Sequence, residues 1–211
     1  MTSLSIPSPR RIGDVMSQAE LDRALVTHAH DGLFLDVAVF LEAGANPKHE
    51  NSLAMRMASG GGHAECLRLL IPISDATAFD CEALVWAAQH GYAECVELLI
   101  PVSDLASNES EALRNAACNG HADCVALLLP FSAPLMDQPK ALTAAVANGH
   151  AHVLSRMLDH EPGLVGQLNL RELHAYADQC GHAAMALLAS SMIEQAELGG
   201  AVAGSCCSDS Q

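Results

Sequence analysis

The stretch GHAECLRLLIPISD, residues 62–75, occurs again along the chain with few changes. Its copies are GYAECVELLIPVSD at residues 91–104 and GHADCVALLLPFSA at residues 120–133, and each begins 29 residues after the one before it. Weaker copies begin at three further glycines: Gly32, Gly149 and Gly181. Together with the three clear copies they give six units in a row. A period of this length predicts a solenoid, in which every unit packs against its neighbours.

Each unit predicts two short helices joined at its glycine. An Ala- and Leu-rich segment, such as ALVWAAQHG at residues 83–91, comes before the glycine, which suits the left-handed position that ends a helix. In the segment after it, Glu94 and Glu97 lie outside an apolar stripe, in which we expect Leu98 to be a core residue. The stripe consists of Cys95, Val96, Leu98, Leu99 and Ile100. A proline then stops the second helix in the three clearest copies: Pro72, Pro101 and Pro130.

The composition favours packed helices and excludes some classes of partner. Of the 211 residues, 50% are hydrophobic but only 3% are aromatic, which fits an Ala/Leu/Val core better than a β-sandwich. The net charge of −15 argues against nucleic acid and anionic membranes as partners. Neither a secretory signal nor a membrane-spanning stretch is predicted. We expect a disordered segment at residues 1–17 and repeats over residues 18–190. Residues 191–211 should contain the end of a helix and then a flexible tail, which begins at residue 199.

His63 and Cys66 lie three positions apart, so they could form half of a zinc site or a nucleophilic pair. Equivalent residues on stacked helices are roughly 8–10 Å apart, however, so they form a ladder and do not converge on one ion or one disulfide. The sequence therefore predicts no metal, no cofactor and no disulfide, with Cys66, Cys95 and Cys124 as buried hydrophobes in a reducing, cytoplasmic compartment. Cys118 and Cys180 are expected to be more exposed, but no base stands near them to activate a thiol.

The repeated pattern A-L-x-x-A-A-x-x-G-H-x-x-C/V-V-x-x-L-L resembles the ankyrin repeat over roughly residues 18–190. The first unit is most similar, since GLFLDVAVFLEAGANP at residues 32–47 ends in the family's Leu-Glu-x-Gly-Ala-Asn-Pro signature. The resemblance implies an all-α solenoid of about six helix-turn-helix repeats. Because Pro-x-Ser-Asp replaces the family's closing Gly-Ala, the β-hairpin fingers are expected to be reduced to loops. The resemblance also implies that a repeated histidine orders the turn between repeats by hydrogen bonding: His63, His121, His150 and His182.

The last unit departs from the pattern in its first helix. In RELHAYADQCGH, residues 171–182, His174 takes the position of the periodic leucine and Leu173 is shifted by one. We expect this unit to be a modified cap, as terminal repeats commonly are.

In proteins that resemble this one, the partner lies in the concave groove against the first helices. Trp86, the only tryptophan, is the expected anchor, although ordinary packing between first helices would also explain it. The residues that the resemblance assigns to this face are Arg56, Met57, Val85, Trp86, Gln89, His90, Arg114, Asn115, Asn119 and Tyr176.

Three functions are compatible with the sequence. The first is a non-enzymatic module, expected to be monomeric, that binds a protein partner through the groove. The second is a bacterial effector that acts on a host protein, because residues 1–12 are rich in Ser, Thr, Pro and Ile and lack acids, as type III export signals do. The third is an enzyme that uses a Cys or His nucleophile in the groove.

Overall fold

The computed structural model describes residues 15–103, 105–131, 138–160 and 169–204. Within these ranges the chain forms twelve α-helices and no strand, so the prediction of an all-α solenoid is confirmed. The helices alternate between the first and the second helix of six units, which we call inner and outer helices. The inner helices are α1 (Gln18–His30), α3 (His49–Gly60), α5 (Ala78–His90), α7 (Leu105–Asn119), α9 (Gln138–Ala147) and α11 (Leu170–Cys180). The outer helices are α2 (Phe34–Glu42), α4 (Ala64–Leu70), α6 (Ala93–Leu99), α8 (Ala122–Leu128), α10 (Ala151–His160) and α12 (Ala183–Gly204).

The helices stack in two rows. Each outer helix packs against the next outer helix from α2 to α12, and each inner helix packs against the next inner helix from α1 to α9. The apolar sides of both rows meet in one continuous core, which these short helix pairs could not form alone. The row of inner helices is looser between α9 and α11, where a cavity of about 470 Å³ separates the helices.

The three central outer helices, α4, α6 and α8, repeat their buried residues almost without change. Cys66, Cys95 and Cys124 are at most 1% exposed, as expected for small hydrophobes in a ladder. The last leucine of each helix is also buried: Leu70, Leu99 and Leu128. Leu98, which the apolar stripe placed in the core, is only half-buried, because Leu99 takes the central position one residue further round the helix.

The turn between the helices of a unit depends on a glycine and on the histidine of the following unit. Gly91 has a φ of +80°, a left-handed conformation that a side chain resists. A Cβ at this position would also collide with the ring of His121. The Nε2 of His121 donates a hydrogen bond to the carbonyl oxygen of Gln89, at 3.0 Å. The ring therefore bridges two units.

The same bridge occurs twice more. The Nε2 atoms of His63 and His150 donate to the carbonyl oxygens of His30, at 2.8 Å, and Cys118, at 2.9 Å. The hydrogen bonds expected from the repeated histidine are thus present at three of its four positions. His182 packs in the same way against Gly149.

Short 3₁₀ turns replace the fingers after three outer helices. They span Ile71–Ile73, Ile100–Val102 and Leu129–Phe131, each with a proline in the middle. The loop after the first of them is tied to the preceding unit, because the backbone N–H of Asp75 donates to the buried hydroxyl of Ser52, at 2.8 Å. Among the described residues the β-hairpin fingers are thus reduced to turns and loops.

The two ends differ from the central units. In α11, Leu173 is 6% exposed, whereas His174, which takes the position of the periodic leucine, is half-buried and lies 3.2 Å from Asp178. The last helix continues to Gly204, so it includes the first six residues of the segment that we predicted as a tail from residue 199. The predicted export segment, residues 1–12, lies outside the described residues. None of the helices in the described part of the chain is long and apolar enough to cross a membrane.

Candidate partner-binding surface

The ten residues predicted to bind a partner all lie on inner helices, but they do not form one surface. Nine lie on the neighbouring helices α3, α5 and α7, where seven of them line or flank two cavities, and Tyr176 lies apart on α11. The residues that are exposed are Gln89, His90, Arg114, Asn119 and Tyr176. The residues that are half-buried are Arg56, Met57, Trp86 and Asn115. Val85 is 7% exposed and packs in the core, so only a small part of its side chain is accessible.

Trp86 lies against the preceding unit. A Cβ at position 60 would be only 3.0 Å from Cε3 of the indole, so Gly60 leaves the room in which the ring packs. Gly60, the first of the three glycines at residues 60–62, therefore serves the contact between α3 and α5. Trp86 thus packs between neighbouring inner helices, which is the alternative role predicted for it.

A first cavity, which we call the Met57 cavity, lies beside this contact. Its volume is about 370 Å³, and Trp86 forms one wall of it. The other lining residues are His30, Met57, Gly60, Gly61, Gln89 and His90. Four of the predicted binding residues thus meet here, in an open site with apolar walls and few charges.

The side chain of Arg56 makes its contacts within the protein. The guanidinium lies 4.5 Å from the ring centroid of Phe79 and 5.5 Å from that of Trp86. It also forms an ion pair with Glu82, and the Arg56 side chain is only 12% exposed. Cation–π contacts and a partly buried ion pair hold this arginine between α3 and α5.

A second cavity, the Val85 cavity, lies between α5 and α7. Its volume is about 230 Å³, and Trp86 and Gln89 line it as well as the Met57 cavity. The remaining lining residues are Phe79, Asp80, Glu82, Val85, Glu111 and Asn115. Two aromatic rings and three carboxylates therefore surround a small space, so the cavity is both acidic and aromatic.

Phe79 is a surface residue that the repeat pattern did not single out. It is 58% exposed and belongs to a left-handed turn, Phe79-Asp80-Cys81, with φ between +52° and +61°. The equivalent turn of the preceding unit, Glu50-Asn51-Ser52, has φ between +48° and +60°. Each non-glycine residue in this conformation costs about 1–2 kcal/mol. Strain of this kind often occurs where a protein binds a ligand.

Tyr176 lines the cavity between α9 and α11, which we call the Tyr176 cavity. Its side chain is 40% exposed, and a hydrogen bond with Cys180 raises the pKa of its hydroxyl. The other lining residues are Leu142, Thr143, Val146, Asn169, Glu172, Leu173, Ala175 and Gln179. Because the lining is mainly apolar and opens between two helices, this region is a separate candidate surface.

Arg114 and Asn119 line none of these three cavities. The Nδ2 of Asn119 donates to the carbonyl oxygen of Asn115, at 2.8 Å. Arg114 lies 3.7 Å from Glu111 on the same helix, with both side chains 45% exposed. An exposed pair of this kind contributes little to stability.

Among the described cysteines, the buried ladder residues are poor nucleophiles. Burial raises the pKa of Cys66, and it raises the pKa of both Cys95 and Cys124 to about 11, so these thiols stay protonated near neutral pH. Cys118 and Cys180 are exposed free thiols, as expected. In the described ranges, no cluster of three or more His, Cys, Asp or Glu side chains has the geometry to hold a metal ion.

The comparisons with known proteins agree with this architecture. A family model described as "Ankyrin repeats (3 copies)" matches residues 25–109 and residues 54–137, which together cover more than half of the chain. The protein therefore belongs to the ankyrin-repeat family, whose members are modules for protein–protein interaction. No curated protein matches the chain.

Proposed function

We propose that this protein binds a partner protein through the face of its inner helices, centred on Trp86, and that it catalyses no reaction. The observation that supports this most directly is the position of Trp86 between the Met57 cavity and the Val85 cavity. A large aromatic side chain beside concave sites is the usual anchor of a protein interface. The exposed Phe79 and the strained turn that carries it lie at the edge of the same face.

The rigid stack of helices explains how such a face would bind. Its residues belong to helices that are fixed by the core and by the histidine bridges, so little order has to be gained on binding. The exposed free thiols of Cys118 and Cys180 favour a reducing compartment as the place where the protein acts.

Photo-crosslinking in the source cells tests the proposal. Gln89 is exposed and lines both cavities, so a benzoylphenylalanine at this position should crosslink a partner that covers Trp86. Glu97, exposed on the outer helix α6, is the matched control. We expect a discrete crosslinked band from position 89 and none from position 97. No band from position 89, or an equal band from position 97, would contradict the proposed face.

A further inference from the structure

Two neighbouring contacts between inner helices differ in one charged residue. Arg56 of α3 faces Glu82 of α5, and the two side chains form an ion pair. The equivalent positions one repeat further on, 29 residues along the chain, hold Val85 on α5 and Glu111 on α7. The carboxylate is therefore repeated in the next unit, but the arginine is not.

The space left by the missing arginine is the Val85 cavity. Val85 occupies the position of Arg56 but is much shorter, and both Val85 and Glu111 line the cavity of about 230 Å³. Phe79 and Trp86, the two rings that contact the guanidinium of Arg56, line this cavity as well. The protein thus binds one guanidinium between α3 and α5 and has an open site between α5 and α7 that uses the same two rings. The residues equivalent to these rings one repeat further on are Asn108 and Asn115, so only the carboxylate is repeated.

The charges around the cavity favour a cationic occupant. Asp80, Glu82 and Glu111 all line it, although Glu82 is already paired with Arg56. The amides of Gln89 and Asn115 add oxygen atoms that can accept hydrogen bonds. Arg114 pairs with Glu111, but this exposed pair at 3.7 Å is weak and open to competition. The net charge of −15 would in addition attract a basic partner over longer distances.

We propose that the Val85 cavity binds a basic side chain, arginine or lysine, of the partner protein. The guest would take the place that Arg56 takes in the preceding unit, with its charge near Glu111 and its stem against the indole of Trp86. This proposal rests on the proposed function, because it assigns a chemical class to the partner of the same face.

The only tryptophan of the chain reports directly on this site. Trp86 fluorescence can be titrated with three eight-residue peptides in which Gly alternates with Arg, Lys or Gln. We expect saturable changes with the arginine and lysine peptides and none with the glutamine peptide. If the glutamine peptide gave the same change, or if neither basic peptide gave one, the proposal would fail.

Val85→Arg provides the sharpest variant, because it supplies the missing arginine from the chain itself. We expect the new side chain to pair with Glu111 and to weaken binding of the arginine peptide by about tenfold or more. Glu97→Gln changes the net charge by the same amount on the exposed surface of α6, and we expect it to bind like the wild type. Equal binding by Val85→Arg and the wild type, or an equal loss in both variants, would overturn the proposal.

Two further variants keep the test valid if circular dichroism shows that Val85→Arg is unfolded. Glu111→Gln removes the carboxylate of a half-exposed side chain and should weaken binding by several-fold. Arg114→Gln removes the competing cation and should tighten binding by about twofold to fivefold. Wild-type affinity in both variants would count against the cavity as the binding site.

The outcomes of the two experiments separate the two proposals. If position 89 crosslinks a partner but no basic peptide binds, the interaction face is retained and the basic guest is wrong. If position 89 gives no crosslink, the proposed function itself fails, whatever the peptides do.

Discussion

The outer row of helices and the half-buried face of the inner row differ in how faithfully their residues repeat. In the outer row, the same buried position holds Cys66, Cys95 and Cys124, and the bridging His63 and His121 stand beside the first and the last of them. In the inner row, the position that Arg56 occupies is occupied by Val85 in the next unit, and the two residues make different contacts. The outer row, uniform in its three central units, stabilises the stack together with the buried alanines of the inner helices. The variable face of the inner row makes each contact between units different and leaves cavities in some of them.

The largest effect should come from breaking the uniform row. Leu99 is fully buried, so Leu99→Ala should lower the free energy of unfolding by about 2–5 kcal/mol. Leu98→Ala, one residue away and half-buried, is the matched control and should cost clearly less. Urea denaturation measures both. Equal losses would mean that the outer helix has a different register.

The next effect should come from the filled contact in the variable row. Arg56→Val removes the ion pair with Glu82 and both cation–π contacts, and should cost about 1–3 kcal/mol. Arg68→Val serves as its control, because Arg68 pairs with Glu94 on the outer row but has a side chain that is 45% exposed. We expect a loss of about 0–1 kcal/mol there. If the two variants were equally stable in denaturant, the role assigned to Arg56 would be wrong.

A smaller effect is expected at the turn that joins the two rows. Gly91→Ala places a side chain in a left-handed conformation, at a cost of about 1–2 kcal/mol, and also presses on the His121 ring. Part of the loss should therefore be recovered in the double variant Gly91→Ala, His121→Ala. A double-mutant cycle in urea measures this coupling, and strictly additive losses would show that the ring and the glycine do not interact.

The uniform row could be predicted from the sequence, whereas much of the variable row could not. The 29-residue period and the Gly-His-x-x-Cys pattern predict the helix pairs, the turns and the buried thiols, because these depend on local spacing that every unit repeats. Arg56 looked like a free surface residue because its partners Phe79 and Glu82 belong to another unit. A comparison of equivalent positions in successive repeats would have indicated the Val85 cavity. The carboxylate of Glu82 recurs at Glu111, but the arginine that pairs with it does not recur.

Other features depend on packing that no repeat pattern records. The left-handed turn at Phe79-Asp80-Cys81 contains no glycine to indicate it. The separation of α9 from α11 follows from how the last unit docks, and Leu173 remains buried although the periodic leucine is replaced by His174. Leu98 shows the same limit on a smaller scale, because an apolar stripe five residues wide does not identify its central member.

The Tyr176 cavity has a consequence for the order in which the stack unfolds. A repeat array behaves as a chain of units coupled to their nearest neighbours, so its weakest coupling decides where it opens. The coupling between the fifth and sixth units relies on the outer helices α10 and α12, because α9 and α11 are held apart. Amide hydrogens of α11 should therefore exchange with solvent before those of α5, and the last unit should detach while the central units remain folded.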